Sequence, residues 1–208
     1  QKDVSHVTIL DNMSYSADES RLEGLDPSSY TVLEGDIRDK VTVLKATRDF
    51  THVFNFAAET HNDNSLSRPL DFVDSNVNGV VTLLEAARAN AFHLHQVSTD
   101  EVFGDLPLES DARFTESSPY LPSSPYSASK AASDLLVKAW VRSFGVSATL
   151  TNSANNFGQK QDPEKLIPKS VSLLRQGLKP KLYGTGKNVR DWIHVITCIQ
   201  SRTFLPVP

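Results

Sequence analysis

The segment Val97-Ser98-Thr99-Asp100-Glu101-Val102-Phe103-Gly104 closes a short apolar run, and Tyr126-Ser-Ala-Ser-Lys130 follows it. Between them they offer a hydroxyl, two adjacent carboxylates, a phenol and an ammonium. Helical residues four apart share a face, about 5–6 Å between Cβ atoms, so the spacing places Tyr126 and Lys130 one turn apart on the same side. An ammonium there favours the phenolate and is expected to draw the tyrosine down from its ordinary value of about 10 towards working pH. Such a phenol takes a proton from an alcohol as hydride leaves it, which is redox chemistry. Tyr-x-x-x-Lys alone arises by chance on amphipathic helices. The weight comes from the run Phe92 to Val97 ending in polar residues, because the carboxyl end of a buried parallel strand is where such sheets present ligand sites.

The elements that must position these groups follow from periodicity. His6 to Leu10 and Tyr30 to Leu33 are short strand-like runs ending at Asp11 and Gly35-Asp36, and Thr51 to Ala57 is another. Lys40 to Phe50 has helical spacing. A long helix is predicted from Pro69 to Asn90, with Phe72, Val73, Asn76, Val80, Leu83, Leu84 and Ala87 near one face and Pro69 in its first turn. Gly104 to Pro125 contains four prolines, two in Ser-Ser-Pro, and reads as a loop across the mouth of the site. A second long helix, Pro125 to Phe144, stops at Gly145, and Val146 to Leu150 is the next strand. Alternating strands and helices predict an α/β fold with a doubly wound parallel sheet. Residues 1–150 are read as the nucleotide-binding part and 151–208 as the start of a smaller substrate-binding portion.

A chain of 208 residues can bury one sizeable core or one domain with part of another. Net charge −4 without a basic run gives no electrostatic reason to expect nucleic acid or an acidic membrane surface. Cys198 is the only cysteine, so an internal disulfide or thiolate metal cluster is excluded and no metal is expected. No apolar run approaches the roughly 20 residues that span a bilayer, and a cytoplasmic location is expected.

Thr99-Asp100-Glu101, Tyr126-Ser-Ala-Ser-Lys130, Phe56-Ala-Ala-Glu-Thr-His61 and Asn155-Asn156-Phe157-Gly158 together resemble the extended short-chain dehydrogenase/reductases. Within them the Thr-Asp-Glu triplet selects the nucleotide-sugar 4,6-dehydratases over the epimerases and decarboxylases. Pro163-Glu-Lys-Leu-Ile-Pro168 and Val189-Arg-Asp-Trp192 fit the same group, and the match runs from about Val7 to Val195.

The resemblance implies a Rossmann-like fold, NAD as cofactor, dTDP-glucose as substrate and a homodimer built on the two long helices. It implies that Thr99, Asp100, Glu101, Tyr126 and Lys130 are catalytic. Asp11, Asp36, Ile37, Ala57, Ala58, Thr60, Ser98 and Asn155 would line the dinucleotide along with Tyr126 and Lys130, Asp11 at the adenosine ribose. His61, Thr99, Asn156, Lys165, Leu166, Tyr183 and Arg190 would meet the nucleotide sugar. The reaction implied is oxidation at C4, loss of water across C5 and C6, and hydride return to C6, as in deoxysugar biosynthesis. Two alternatives stay open: another nucleotide-sugar epimerase or dehydratase, and an inactive remnant.

The chain departs from the pattern in several places. The Gly-x-x-Gly-x-x-Gly turn that opens the family is absent, the first glycine being Gly24, and the chain is expected to lack the first strand with it. Thr60-His-Asn-Asp-Asn-Ser65 replaces Thr-His-Val-Asp-Arg-Ser, which is expected to disturb loop packing at Asn62 and Asn64. Phe157 and His194 stand where tyrosine is usual. From Ile196 the sequence leaves the family, and the helix expected there is not recognisable.

Overall fold

The computed structural model of the chain describes Val4 and residues 6–182 and 184–200. In chain order it forms β1 (Val7–Asp11), β2 (Tyr30–Glu34), α1 (Lys40–Ala46), β3 (His52–Asn55), α2 (Asn62–Ser67), α3 (Pro69–Val73), α4 (Gly79–Asn90), β4 (His93–Thr99), α5 (Pro125–Phe144), β5 (Ala148–Ser153), β6 (Asn155–Phe157), α6 (Leu166–Arg175), β7 (Trp192–His194) and α7 (Val195–Gln200). Every strand pair is parallel. They fall into three hydrogen-bonded sets, β1 with β2, β3-β4-β5, and β6 with β7.

The core lies between the sheets and the helices. Leu94 on β4 and Ala148 on β5 face Val80, Leu83, Leu84 and Ala87 of α4 and Val137 of α5. Alternation along β4 sends Leu94, Gln96 and Ser98 to this side. His93 and His95 point to the other, where they hydrogen-bond Ser147, just before β5, and Thr149 of β5. No helix of the described residues is long and apolar enough to cross a membrane.

The helix predicted over Pro69 to Asn90 forms without an end, but Asp74–Asn78 takes a π turn inside it. Such insertions cluster at functional sites. Here the turn buries Asn76, whose Oδ1 accepts the Glu59 N–H at 2.9 Å while Nδ2 donates to the Glu59 carbonyl at 3.0 Å and to Ser129 Oγ at 2.8 Å. One amide thus ties the loop after β3 to α5. The helix predicted over Lys40 to Phe50 is shorter, capped by Asp39 and ending at Ala46. Helix α2 arises from a stretch that sequence pattern leaves as loop, with the His61 ring as its cap.

Past Val195 a helix does form, which corrects the sequence reading of that segment. Val195, the first residue of α7, packs onto Gly158 just beyond β6 so closely that a Cβ there would meet it at 2.5 Å, and this contact seats the first turn of the helix. Local pattern cannot show such a contact.

Removing the Asn76 amide leaves a buried carbonyl, an N–H and a hydroxyl without it. Asn76→Ala is therefore expected to lower unfolding free energy by about 2 kcal/mol in urea titration. Asn78→Ala, two positions on and exposed, should change it by less than about 0.5 kcal/mol. Equal effects of the two would show that Asn76 carries no special load.

Candidate active site

Strand β4 ends at Thr99 and the chain turns at once. The Thr99 hydroxyl accepts the Glu101 N–H at 3.2 Å and opens a 3-10 turn over Asp100–Phe103. The turn closes on Gly104 at φ +85°, where a Cβ would lie 2.3 Å from the Leu121 carbonyl oxygen. Only glycine fits both the backbone angle and the space. The returning loop donates Leu121 N–H to the Val102 carbonyl at 3.0 Å, and Phe114 and Tyr120 pack on buried Val102 and Phe103. Asp100 and Glu101 are thereby fixed beside the strand end.

Helix α5 starts with Ser124 and Ser127 in a reciprocal capping box and Pro125 at its first position, which places Tyr126 in the first turn. Tyr126 is 9% exposed, its ring edge-on to Phe72 at 6.2 Å. Lys130 is 5% exposed, and its Nζ donates to the Val97 carbonyl at 2.6 Å. The pair shares a face, as the spacing predicts.

Its electrostatics differ from the sequence expectation. The Tyr126 pKa is raised, first by burial and then by the charge on Glu101, with the Thr99 hydroxyl opposing. Burial and the two carboxyl groups facing the phenol outweigh the lysine, whose Nζ donates to the strand carbonyl. Burial lowers Lys130 itself, against the charge of Asp134.

Both acids are raised by burial, and Glu101 further by the charge on Asp100, while the Arg190 guanidinium draws both down. Thr99 Oγ1 donates to Asp100 Oδ1 at 3.3 Å, and Asn62 Nδ2 donates to Glu101 Oε2 at 3.3 Å. The departure at Asn62 therefore supplies a donor to Glu101, where sequence reasoning anticipated only disturbed packing.

A cleft of roughly 500 Å³ opens over Thr99, Glu101 and Tyr126, and Thr60, His61, Ser98, Asn155, Asn156, Lys165 and Leu166 line it too. A second cleft, of roughly 310 Å³, gathers Asp11, Asp36, Ile37, Ala57 and Ala58 at the ends of β1 and β3. The segment Phe56 to Asp63 runs from the second cleft into the first. Lys130 sits behind the larger cleft, and Arg190 is exposed, donating to the Val189 carbonyl at 2.9 Å. Tyr183 lies outside the described residues.

Several expected ligand contacts have structural partners. Both Asp36 oxygens are taken by Arg38 at 2.7–2.9 Å, holding its carboxyl down at about 2. The His61 ring caps α2 and stands 3.9 Å from Glu164. Lys165 donates to Thr60 at 3.0 Å, Asn155 to the Asp191 carbonyl at 3.4 Å, and Asn156 to Ser153 at 3.0 Å. Sequence reasoning singled out Asn62 only as a disturbance and missed Asp134 and Asn152; of those two Asp134 carried a signal, four residues beyond Lys130 on the same face.

The family model described as GDP-mannose 4,6 dehydratase matches residues 1–201. A dTDP-glucose 4,6-dehydratase of Mycobacterium tuberculosis is 50% identical over 189 residues, covering 91% of this chain and 57% of that protein. The dTDP-glucose 4,6-dehydratase of Mycolicibacterium smegmatis is likewise 50% identical, over 92% of this chain and 57% of its own length. This chain therefore spans a little over half the length of these curated relatives. A crystal structure of a dTDP-glucose 4,6-dehydratase from Streptomyces venezuelae with NAD bound superposes with TM-score 0.89 at 39% identity, covering 94% of this chain and 60% of that one. The parallel strands, the strand-end acids and the Tyr126 and Lys130 pair agree with the match over residues 1–201, and the chain belongs to the GDP-mannose 4,6 dehydratase family.

Proposed function

We propose that this chain carries the chemistry of an NAD-dependent nucleotide-sugar 4,6-dehydratase, acting in the cytoplasm on dTDP-glucose to give dTDP-4-keto-6-deoxyglucose. One observation carries the reading: Thr99, Glu101 and Tyr126 face a single cleft, with Asp100 held against Thr99 at the same strand end. An oxidation followed by an elimination needs a base for an alcohol, a base for a carbon acid and an acid for a leaving hydroxyl. Tyr126, Glu101 and Asp100 are those three groups.

The residues of the smaller cleft fit the adenosine half of a dinucleotide. Asp11 ends β1 at its rim, with one carboxylate oxygen fixed by the Met13 N–H at 2.8 Å, and Ala57 and Ala58 leave the wall beside it low. Asp36 is bound to Arg38, so its neighbourhood offers Ile37 and the backbone to the base. Ser98, Thr60 and Asn155 would continue the path towards Tyr126 and Lys130. NAD held there supplies the hydride acceptor and donor; the chain's side chains move the protons.

Tyr126 takes the proton from the sugar O4, and Thr99 steadies the oxygen that becomes the C4 ketone. The ketone acidifies C5, whose proton Glu101 removes. Asp100 protonates the departing C6 hydroxyl, water leaves, and the hydride taken from C4 returns to C6 while Glu101 gives its proton back to C5. One acid must be ionised and the other protonated. Burial raises both, and the Asn62 amide favours the ionised form of Glu101. Lys165 and Leu166 on the far wall, with Asn156, His61 and Arg190, are assigned to the nucleotide diphosphate and base.

The two-helix face suits a second copy of the chain. Leu70 of α3 is 73% exposed and Leu135 of α5 is 56% exposed, on elements that pack side by side. A homodimer covering them is expected in light scattering, and Leu70→Glu with Leu135→Glu should return a monomer. An unchanged mass would remove this surface from the assembly.

Incubated with NAD and dTDP-glucose, the folded chain should yield a nucleotide sugar lighter by one water in mass spectrometry. Tyr126→Phe should reduce that rate by at least about 100-fold. A folded protein that binds both ligands and releases no dehydrated product overturns the reading. Asn62→Val, which withdraws the donor from Glu101, should move the acid limb of the pH–rate profile upward, since losing a hydrogen bond to a carboxylate raises its pKa. A profile with an unmoved acid limb would assign Glu101 to another step.

A further inference from the structure

Behind Tyr126 and Lys130 lies a carboxylate that the reaction above does not use. Asp134 follows Lys130 by one helical turn on the inward face of α5 and is 0% exposed. Its Oδ2 accepts from Ser98 Oγ of β4 at 2.8 Å, from Asn152 Nδ2 of β5 at 3.0 Å and from the Tyr120 hydroxyl of the preceding loop at 3.2 Å. Its Oδ1 is buried with no hydrogen-bond partner. Burial pushes the Asp134 carboxyl up, and the three donors converging from three elements, together with the Lys130 charge, oppose that push, because each favours the ionised carboxylate.

A buried charge needs an opposite one nearby. Lys130, four residues earlier on the same buried face of α5, is that charge on one side. On the other side Lys138 donates to the Tyr120 hydroxyl at 3.4 Å and stands 4.8 Å over its ring. Lys130, meanwhile, is seated on a neutral acceptor, the Val97 carbonyl. An amine that had lost its proton would still have N–H bonds but no attraction to Asp134.

We propose that Asp134 is a positioning residue whose buried negative charge keeps Lys130 an ammonium and holds it on the Val97 carbonyl, one turn behind Tyr126. The inference rests on reading Tyr126 and Lys130 as the working pair. It extends that reading by one further residue and the donors that hold it.

The groups facing this pair come from every neighbouring element. Lys130 meets the Val97 carbonyl of β4 and Asp134 of its own helix; Asp134 meets Ser98, Asn152 and Tyr120; Tyr126 meets Glu101 and Asp100. Burial draws the Lys130 proton off and Asp134 opposes it, so neutralising Asp134 must lower the pH at which Lys130 titrates. The charge on Asp134 also disfavours the Tyr126 phenolate directly, so the tyrosine receives opposing effects. Lys130 is the readout with one sign.

The test is an NMR titration of the whole chain labelled with carbon-13 at lysine Cε, the Lys130 resonance being identified by its loss in Lys130→Met. Asp134→Asn should lower the Lys130 midpoint by about one pH unit or more. An unmoved midpoint in Asp134→Asn overturns the proposal; if that variant does not fold, an unmoved midpoint in Asp134→Ser, smaller and likewise neutral, does so. The titration contains neither NAD nor sugar nucleotide. A moved midpoint without dehydration therefore discards the proposed reaction and keeps the role of Asp134, whereas dehydration with an unmoved midpoint does the reverse.

Discussion

The site depends on how α5 lies against the carboxyl end of β4, and that contact is polar. Lys130 reaches the Val97 carbonyl, Asp134 takes Ser98, and Asn152 bridges from β5 to both the Thr99 carbonyl at 3.2 Å and Asp134 at 3.0 Å. Apolar contacts such as Val137 on Leu94 press helix and sheet together, but they would tolerate a small slide. Directed hydrogen bonds to named atoms do not. A shift of α5 by one residue would orphan a buried ammonium and a buried carboxylate together, each costing several kcal/mol. Tyr126 inherits its position from this constraint.

The same contact explains why the phenol is reluctant to ionise. A tyrosine brought close to two acids in a dry pocket has its pKa raised by both effects, and its own helix turns the nearest ammonium away from it. Positive charge arriving in the cleft would act on an oxygen already aligned, with little to reorganise. Glu101 is in a comparable state, raised by burial and by Asp100 and restrained by Asn62 and the Arg190 charge. The site thus holds these titratable groups close to one another by geometry.

Much of this was legible in the residues. The strands and both long helices follow from periodicity and punctuation: Ser124 and Pro125 open α5, Gly145 in the left-handed region closes it, and the apolar stripe over Phe72 to Ala87 becomes the buried face of α4. Shared-face placement of Tyr126 and Lys130 needed only helical geometry. What escaped depends on contacts distant in sequence. Asn62 and Glu101 are 39 residues apart, Asn152 and Thr99 are 53 apart, and α7 rests on Gly158 just beyond β6. The direction of the Tyr126 shift escaped for a related reason. Spacing locates an ammonium but does not show the burial and the facing carboxyl groups that outweigh it, nor the carbonyl 33 residues away that accepts its hydrogen bond.

The buried amides show what kind of problem the fold solves near its site. Asn76 joins the loop after β3 to α5, and Asn55 donates to Gln96 at 2.8 Å between β3 and β4 within a buried surface that leucines could fill. A leucine in either place would pack, yet it would accept several registers of the neighbouring element. The amide accepts one, because any other leaves its donors and acceptors unpaired. These residues bring the ends of β3, β4 and β5 and the first turns of α5 to fixed mutual positions, and those ends carry Ala57, Thr99, Ser153 and Tyr126. Polar groups inside the protein therefore do for the site what apolar burial alone cannot: they select one arrangement among many of similar compactness.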